Sequence, residues 1–310
     1  MELMMSISKL MQDPISIGVE LPLDNDWSTG GELKRQRDHR PFGVPDMTQH
    51  AALIKQADEL GFRAAWVRDV PLYDPGFGDA AQVFEIFTYL GYLSSLTQNI
   101  LLGTAAVVLP LRQPWLVRKA AATVQVLSQD RLLLGIASGD RPTEYPLFGE
   151  DYASRGETFR KGVEILKGAL DGQLQPGQKL LPERPTPPLL VAGLAQQSPQ
   201  WVGANMDGWL SYPGTPADHI SRVKLWRQVA GEKPYISFIH LDLTDDANAP
   251  IRRHHFGIKT GRNGLIQELN AMQAAGVNHI GLHFRRNQRP LDETLSEIGQ
   301  FVLPEFHQPQ

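Results

Sequence analysis

Short β-type runs alternate with segments of helical period from one end of this chain to the other, and that alternation constrains its fold more than any other feature. It is the pattern of an α/β fold built on a parallel sheet. Strand candidates are Ile15–Leu21, Ala64–Asp69, Ile100–Val108, Arg131–Ser138, Pro188–Gly193, Gly208–Ser211, Tyr235–Leu243 and His279–Phe284. Helical period falls on Met47–Leu60, Ala80–Ser95, Trp115–Leu127, Arg155–Leu170, Ser198–Met206, Pro216–Val229, Leu265–Ala275 and Asp292–Phe301. Eight of each predict a (β/α)8 TIM barrel, and Gly61 and Gly276 support the phase by following a helix and preceding a strand, as a left-handed C-cap requires.

Long connections at Pro22–Pro45, Pro71–Gly78, Asp140–Ser154 and Thr244–Asn263 follow strand candidates. In a barrel they lie at the C-terminal face, where active sites are built. The connection Asp171–Pro187 follows a helix and reads as a proline-rich turn region.

Composition narrows the chemistry. At 310 residues and 42% hydrophobic content the chain can bury the core of one large domain or two small ones. Its formal charge of −4, with dispersed Lys and Arg, gives no footprint for nucleic acid or anionic lipid, so a small-molecule substrate is the expected partner. The chain has no cysteine, which excludes disulfides, thiolate metal sites and a cysteine nucleophile. No apolar run reaches the roughly 18 residues that span a bilayer, and a cytoplasmic protein is expected.

The expected strand ends present Glu20, Arg68, Asp69, Ala105, Ala106, Ser138 to Arg141, Gly193 to Ala195, His240, Asp242 and His283. Glu20 or Asp69 with Asp140 or Glu144 would make the acid and base of a barrel glycosidase. Alternatively, Arg68 with Asp69, or Asp140 with Arg141, would be ion pairs that order loops. His240 and His283 have apolar strand neighbours and read as satisfied buried histidines, and no metal is expected. Ser138 is not a nucleophile elbow, since position 140 holds aspartate where that motif needs glycine. No dinucleotide fingerprint is present: the paired glycines of Ser28-Thr29-Gly30-Gly31 are expected neither to follow a strand nor to open a helix. Gly193 to Gln197, leading into Ser198-Pro199 as N-cap and first helical residue, offers free backbone N–H groups to an anion.

Two small residues end the third strand in Gly103-Thr104-Ala105-Ala106-Val107-Val108-Leu109-Pro110. With Pro114, Leu127-Ser128 and Arg131-Leu132-Leu133-Leu134-Gly135-Ile136, this stretch resembles the third-to-fourth-strand unit of the bacterial luciferase-like monooxygenases. Further agreement comes from Glu59-Leu60-Gly61-Phe62, Phe148-Gly149, Arg155 with Phe159 and Arg160, and Met206-Asp207-Gly208-Trp209. Trp66-Val67-Arg68-Asp69-Val70-Pro71 and Ala137-Ser138-Gly139-Asp140-Arg141-Pro142 mark the luciferase-type flavin oxidoreductase subgroup.

The resemblance implies one domain over residues 1–310, with 1–14 as an N-terminal extension. It implies a cis peptide at Ala105–Ala106 forming a bulge against a flavin ring, where a large side chain would take the ring's place. Otherwise the two alanines mark only a close strand-to-helix contact. It further implies that Ser138, Gly139 and Arg141, with Gly193, Leu194, Ala195, Gln196 and Gln197, surround the cofactor. Bacterial luciferase itself has a histidine where this chain has Arg68-Asp69, and a phosphate-gripping arginine where it has Ser138, so light emission is not expected. Arg141 or Arg112 would supply the missing charge. Asp130 stands where glycine is usual in the turn before the fourth strand.

The implied activity is a monooxygenase taking reduced FMN from a separate NAD(P)H:flavin reductase and using O2 to oxygenate a small organic substrate. Arg68 would stabilise developing negative charge, with Asp69 orienting it or relaying a proton. The loop Thr244–Asn263 would act as a lid, flexing at Gly257, Gly261 and Gly264. The alternatives are hydride transfer with the deazaflavin F420 and flavin binding without turnover. Relatives often form homodimers through the helices matching Ala80–Ser95 and Trp115–Leu127.

Overall fold

In the computed structural model, which describes residues 5–74, 77 and 84–308, eight parallel strands close into a barrel. In chain order the strands are β1 (Ser16–Glu20), β2 (Ala64–Val67), β3 (Leu101–Thr104) with its continuation β4 (Val107–Val108), β5 (Leu132–Ala137), β6 (Leu189–Ala192), β7 (Gly208–Leu210) and β8 (Tyr235–Leu243). A hairpin of β9 (Arg252–His254) and β10 (Gly257–Thr260) precedes the last barrel strand, β11 (His279–His283). That strand closes the ring, setting His279 opposite Ser16 of β1 on one side and Ile236 of β8 on the other. All eight expected strands are present. Their runs read continuously apolar because a parallel strand is covered on both faces.

α1 (Met5–Leu10) precedes β1, and helices fill the outside: α2 (Thr29–Arg37), α3 (His50–Glu59), α4 (Ile86–Leu96), α5 (Pro114–Ser128), α6 (Arg155–Leu166), α7 (Pro199–Asn205), α8 (Pro216–Ala230), α9 (Arg262–Ala274) and α10 (Leu291–Glu297). The first residues of the expected helix Ala80–Ser95 and part of the loop Pro71–Gly78 lie outside the described residues. Gly61 and Gly276 take φ of 87° and 88°, the left-handed caps that the sequence implied. Asp130 also adopts a left-handed φ of 61°, which aspartate tolerates, and its carboxylate lies 3.0 Å from Arg184. Among the described residues no helix is long and apolar enough to cross a membrane.

Three segments differ from expectation. The N-terminal extension forms α1, whose Leu10 joins Ala64, Trp66, Leu101, Leu133, Leu190 and Ile236 inside the barrel. The paired glycines do open a helix: Ser28 caps α2, accepting a 3.0 Å bond from the Gly31 amide. The expected lid contains a hairpin paired to β8, with Gly257 opposite His240 and Thr260 opposite Leu243. Ladder bonds hold Gly257, and Gly264 lies within α9, so neither is a free hinge.

Inside the barrel, Trp66 is fully buried and donates Nε1–H to His279 Nε2 at 2.9 Å. Indole can only donate, so His279 carries its proton on Nδ1 and gives it to Ser16 Oγ, 2.7 Å away. Ser16 in turn donates to the Leu10 carbonyl at 2.8 Å. Gly103 leaves the indole its space: a Cβ there would lie 2.3 Å from the Trp66 ring.

Candidate functional site

A cavity of about 370 Å3 opens at the C-terminal ends of the strands. Its floor is made of small residues, Ala105, Ala106, Ala137 and Ala192, with Leu210 and Phe238 beside them. One end is formed by Ser138, Gly139, Asp140 and Arg141 after β5 and by Gly193 to Gln196 after β6. The other end carries Glu20, Arg68 and Asp69. Eleven of the twelve candidate site residues therefore line one cavity: Arg68, Asp69, Ala105, Ala106, Ser138, Gly139, Arg141, Gly193, Leu194, Ala195 and Gln196. Gln197 does not. Its side chain accepts from Arg160 at 2.7 Å and donates to the Gly156 carbonyl at 2.8 Å, fastening the β6 loop to α6.

The Ala105–Ala106 peptide is cis. Gly103 faces Leu133 and Val107 faces Ile136, so four steps along β3 and β4 match three along β5. The extra residue is a bulge, and it delivers the two alanines to the cavity floor. Directly after Ala192 of β6, two strands along from the bulge, Gly193 has a φ of 60° and open space where a Cβ would project.

The charged pair Arg68-Asp69 is split between two partners. Arg68 Nε lies 2.6 Å from Glu20 Oε1, whose side chain is 4% exposed. Asp69 turns the other way. It accepts from Arg112 Nη2 at 2.7 Å, from Arg112 Nε at 2.9 Å and from the Val108 amide at 3.0 Å. Arg112 also reaches Glu85 at 2.8 Å, so its charge is committed to two carboxylates. The glycosidase reading fails here: each carboxylate named for one member of the pair faces an arginine, and Glu144 is buried away from the cavity lining.

His240 and His283 face each other across the β8–β11 ladder, their rings stacked at 4.1 Å and 21°. Burial, with the Arg68 charge adding to it, pushes His240 down to about 3, and burial holds His283 well below its ordinary value, so both rings are neutral. The expectation of fully satisfied histidines is corrected at His283, whose buried Nδ1 has no partner. Both ring nitrogens of the buried His279 are bonded, to Ser16 and Trp66.

Sequence reasoning missed Ser211, Tyr212, Pro213 and Phe238. Ser211 closes an expected strand at the correct face, so its position was legible. Nothing in its residue type marked it.

The family model described as luciferase-like monooxygenase matches residues 26–240. A Mycobacterium tuberculosis protein described as uncharacterized is 28% identical over 228 residues, which is 64% of this chain and 79% of that protein. The F420-dependent hydroxymycolic acid dehydrogenase of the same species is 27% identical over 190 residues, covering 56% of this chain and 50% of the enzyme. Among solved structures, the monooxygenase RslO1 of Streptomyces bottropensis superposes with a TM-score of 0.71 at 18% identity, over 94% of this chain and 99% of that one. At that identity the likeness shows the barrel fold alone.

Proposed function

Because this chain belongs to the luciferase-like monooxygenase family, we propose that its cavity holds reduced FMN and that the protein uses O2 to oxygenate a small organic substrate. The observation that carries this reading is the alanine floor. Ala105, Ala106, Ala137 and Ala192 leave an apolar ledge of small side chains with room for a planar ring system, bounded by polar loops that suit a charged tail. Arg141, with Ser138 and the backbone of Gly193 to Gln196, is the proposed phosphate grip. Arg112 is bound to Asp69 and Glu85 and is not available for that role.

Bound reduced flavin supplies electrons to O2, while the chain binds, orients and excludes water. Arg68 is the proposed stabiliser of negative charge on the reacting oxygen, held toward the cavity by Glu20. Asp69 is proposed to act through the ledge, by holding β4. A separate NAD(P)H:flavin reductase is the proposed source of reduced cofactor, and the cytoplasm the proposed setting. A second copy is the proposed structural partner, through Tyr92 of α4 and Leu116, Val126 and Leu127 of α5, which are exposed apolar residues. Leu90 of α4 is core, and Phe84 and Phe87 are partly buried against that core, so they are not part of this face.

A second reading, hydride transfer with F420, is favoured by the F420-dependent relative. Parallel titrations with FMN, reduced FMN and F420, followed by O2 uptake with a flavin reductase and candidate substrates, test both. Preference for FMN with O2 use coupled to product supports the monooxygenase. Preference for F420 replaces it, and FMN binding that discharges only hydrogen peroxide leaves a flavin-binding protein without turnover.

A further inference from the structure

Resting on that reading, we propose that the substrate is an organic anion, and that Arg35 and Arg286 receive its negative group at an aromatic mouth beside the Arg68 end of the cavity. The loops after β1, β2 and β11 build this mouth. Trp27 stacks on Phe42 with ring centroids 5.8 Å apart and planes 10° from parallel, and Phe42 reaches Tyr73 at 6.0 Å. Phe42 and Tyr73 are 42% and 51% exposed, so the arc offers aromatic surface to an apolar body.

The mouth adjoins the cavity through the two stacked histidines. Trp66 and Phe238 meet inside the barrel, and one pleat further along the same strands Arg68 and His240 point the same way. His240 stacks on His283, and Trp27 lies 5.9 Å from His283 on its far side in the chain of contacts. After burial, the charges of Arg68 and Arg286 both act to keep this pair neutral, so the two cations flank it.

Charge bookkeeping then singles out two arginines. Arg68 has Glu20, Arg112 has Asp69 and Glu85, Arg285 has Asp24 and Arg40 has Asp26. Among the described residues, Arg35 and Arg286 have no carboxylate. Instead each lies by a ring of the stack: Arg35 is 5.5 Å from Phe42, and Arg286 is 5.5 Å from Trp27, which Arg285 also approaches at 5.3 Å. Arg35 gives one nitrogen to the Arg40 carbonyl at 3.5 Å, and its Nε has no partner. Arg286 is exposed. A guanidinium held beside an aromatic ring keeps its fork of N–H groups for a planar carboxylate or a phosphate. The proposed cofactor phosphate grip is at the other end of the cavity, after β5 and β6, which leaves this mouth to the substrate.

The test is calorimetric titration of the full chain, free and loaded with FMN, with 3-phenylpropionate, phenyl phosphate and the neutral 3-phenylpropionamide. At least one anion is expected to bind about 10-fold or more tightly than the amide, the worth of a charge-assisted hydrogen bond. The tighter anion identifies the head group. Arg35→Gln with Arg286→Gln should bring anion and amide to within about 3-fold of each other, while FMN affinity and the thermal midpoint stay unchanged. Arg286→Gln alone, at an exposed position, should remove part of the preference and keeps the test decisive if the double variant unfolds. Anions that bind no tighter than the amide, or not at all, overturn the inference. A preference that survives both substitutions overturns it too, as does a loss of FMN affinity in place of anion affinity, which would make the two arginines a cofactor grip. A parent protein that prefers the anions but binds neither FMN nor F420 overturns the cofactor reading alone.

Discussion

The Asp69 carboxylate accepts a 3.0 Å hydrogen bond from the Val108 amide, tying the end of β2 to β4 just beyond the Ala105–Ala106 bulge. Arg112 grips the same carboxylate through two nitrogens, and the Asp69 side chain is 3% exposed. Removing one partner of a buried ion pair strands the other, so Asp69→Ala should cost about 2–4 kcal/mol of stability. The loss falls short of the worst cases because Arg112 keeps Glu85. Asp69→Asn retains an acceptor for Val108 and should lose less. Thermal unfolding and cofactor titration are the measurements, and both should worsen together because the alanine ledge loosens. A stable Asp69→Ala protein with slowed turnover alone would restore a proton-relay role.

Arg68 sits at the opposite end of the cavity from the β6 loop, and its partner Glu20 is buried. A cation placed where charge develops acts in the transition state more than in binding. Arg68→Ala should therefore slow oxygenation by about 100-fold, while cofactor affinity stays within about 3-fold. Because that substitution leaves Glu20 without its cation, the double variant Glu20→Gln with Arg68→Ala is the control. It should be as slow as the single variant and more stable. Steady-state rates alongside titrations decide the matter, and equal losses in rate and affinity would defeat the role.

The barrel strands were legible because each is buried on both faces, which forces a continuous apolar run that needs no tertiary information to recognise. Helix α2 was not, since Leu33 is the one large apolar residue between Thr29 and Arg37 and is itself exposed. No apolar face marks that helix; its cap at Ser28 and the close contact of Gly31 with Asn25 do. The hairpin after β8 was hidden because its pairing depends on the edge that β7 leaves when it ends at Leu210. Within the site, resemblance led to the right loops, while the partners stayed invisible. Arg112 lies 43 residues from Asp69 in sequence, and nothing local announces that they meet.

Filling the ledge tests the cavity without touching its charges. Ala137 ends β5 on the cavity floor beside Ala105 and Ala106, so a larger side chain there extends into open space rather than into packed core. Ala137→Leu should leave the thermal midpoint near that of the parent. Binding of a planar ring should weaken by more than about 100-fold, a loss of roughly 3 kcal/mol. Titration with FMN and F420 measures this directly. Undiminished affinity would move the ring off the ledge.

Acidification should destabilise the fold through its histidines. Burial pushes His240 and His279 down to about 3, and His50, His219 and His307 down to about 4. At His279 the cause is visible in the bonding: Nε2 accepts from Trp66, and a proton there would face an indole N–H. In the unfolded chain these rings titrate near 6.5. Between that value and their folded ones the unfolded state binds more protons, so stability rises with pH across the window. The contribution is fully present above about pH 6.5 and is lost progressively as the pH falls toward 4, at up to ~1.4 kcal/mol per pH unit for each histidine. The thermal midpoint at constant ionic strength should therefore drop by more than about 5 °C between pH 7.5 and 5.0. Carboxylates with depressed values act mainly below that range, so they do not mimic the loss. A midpoint that is flat or rises on acidification would mean that these histidines accept protons in the folded protein, and the neutral tautomer at His279 would be the first assignment to fall.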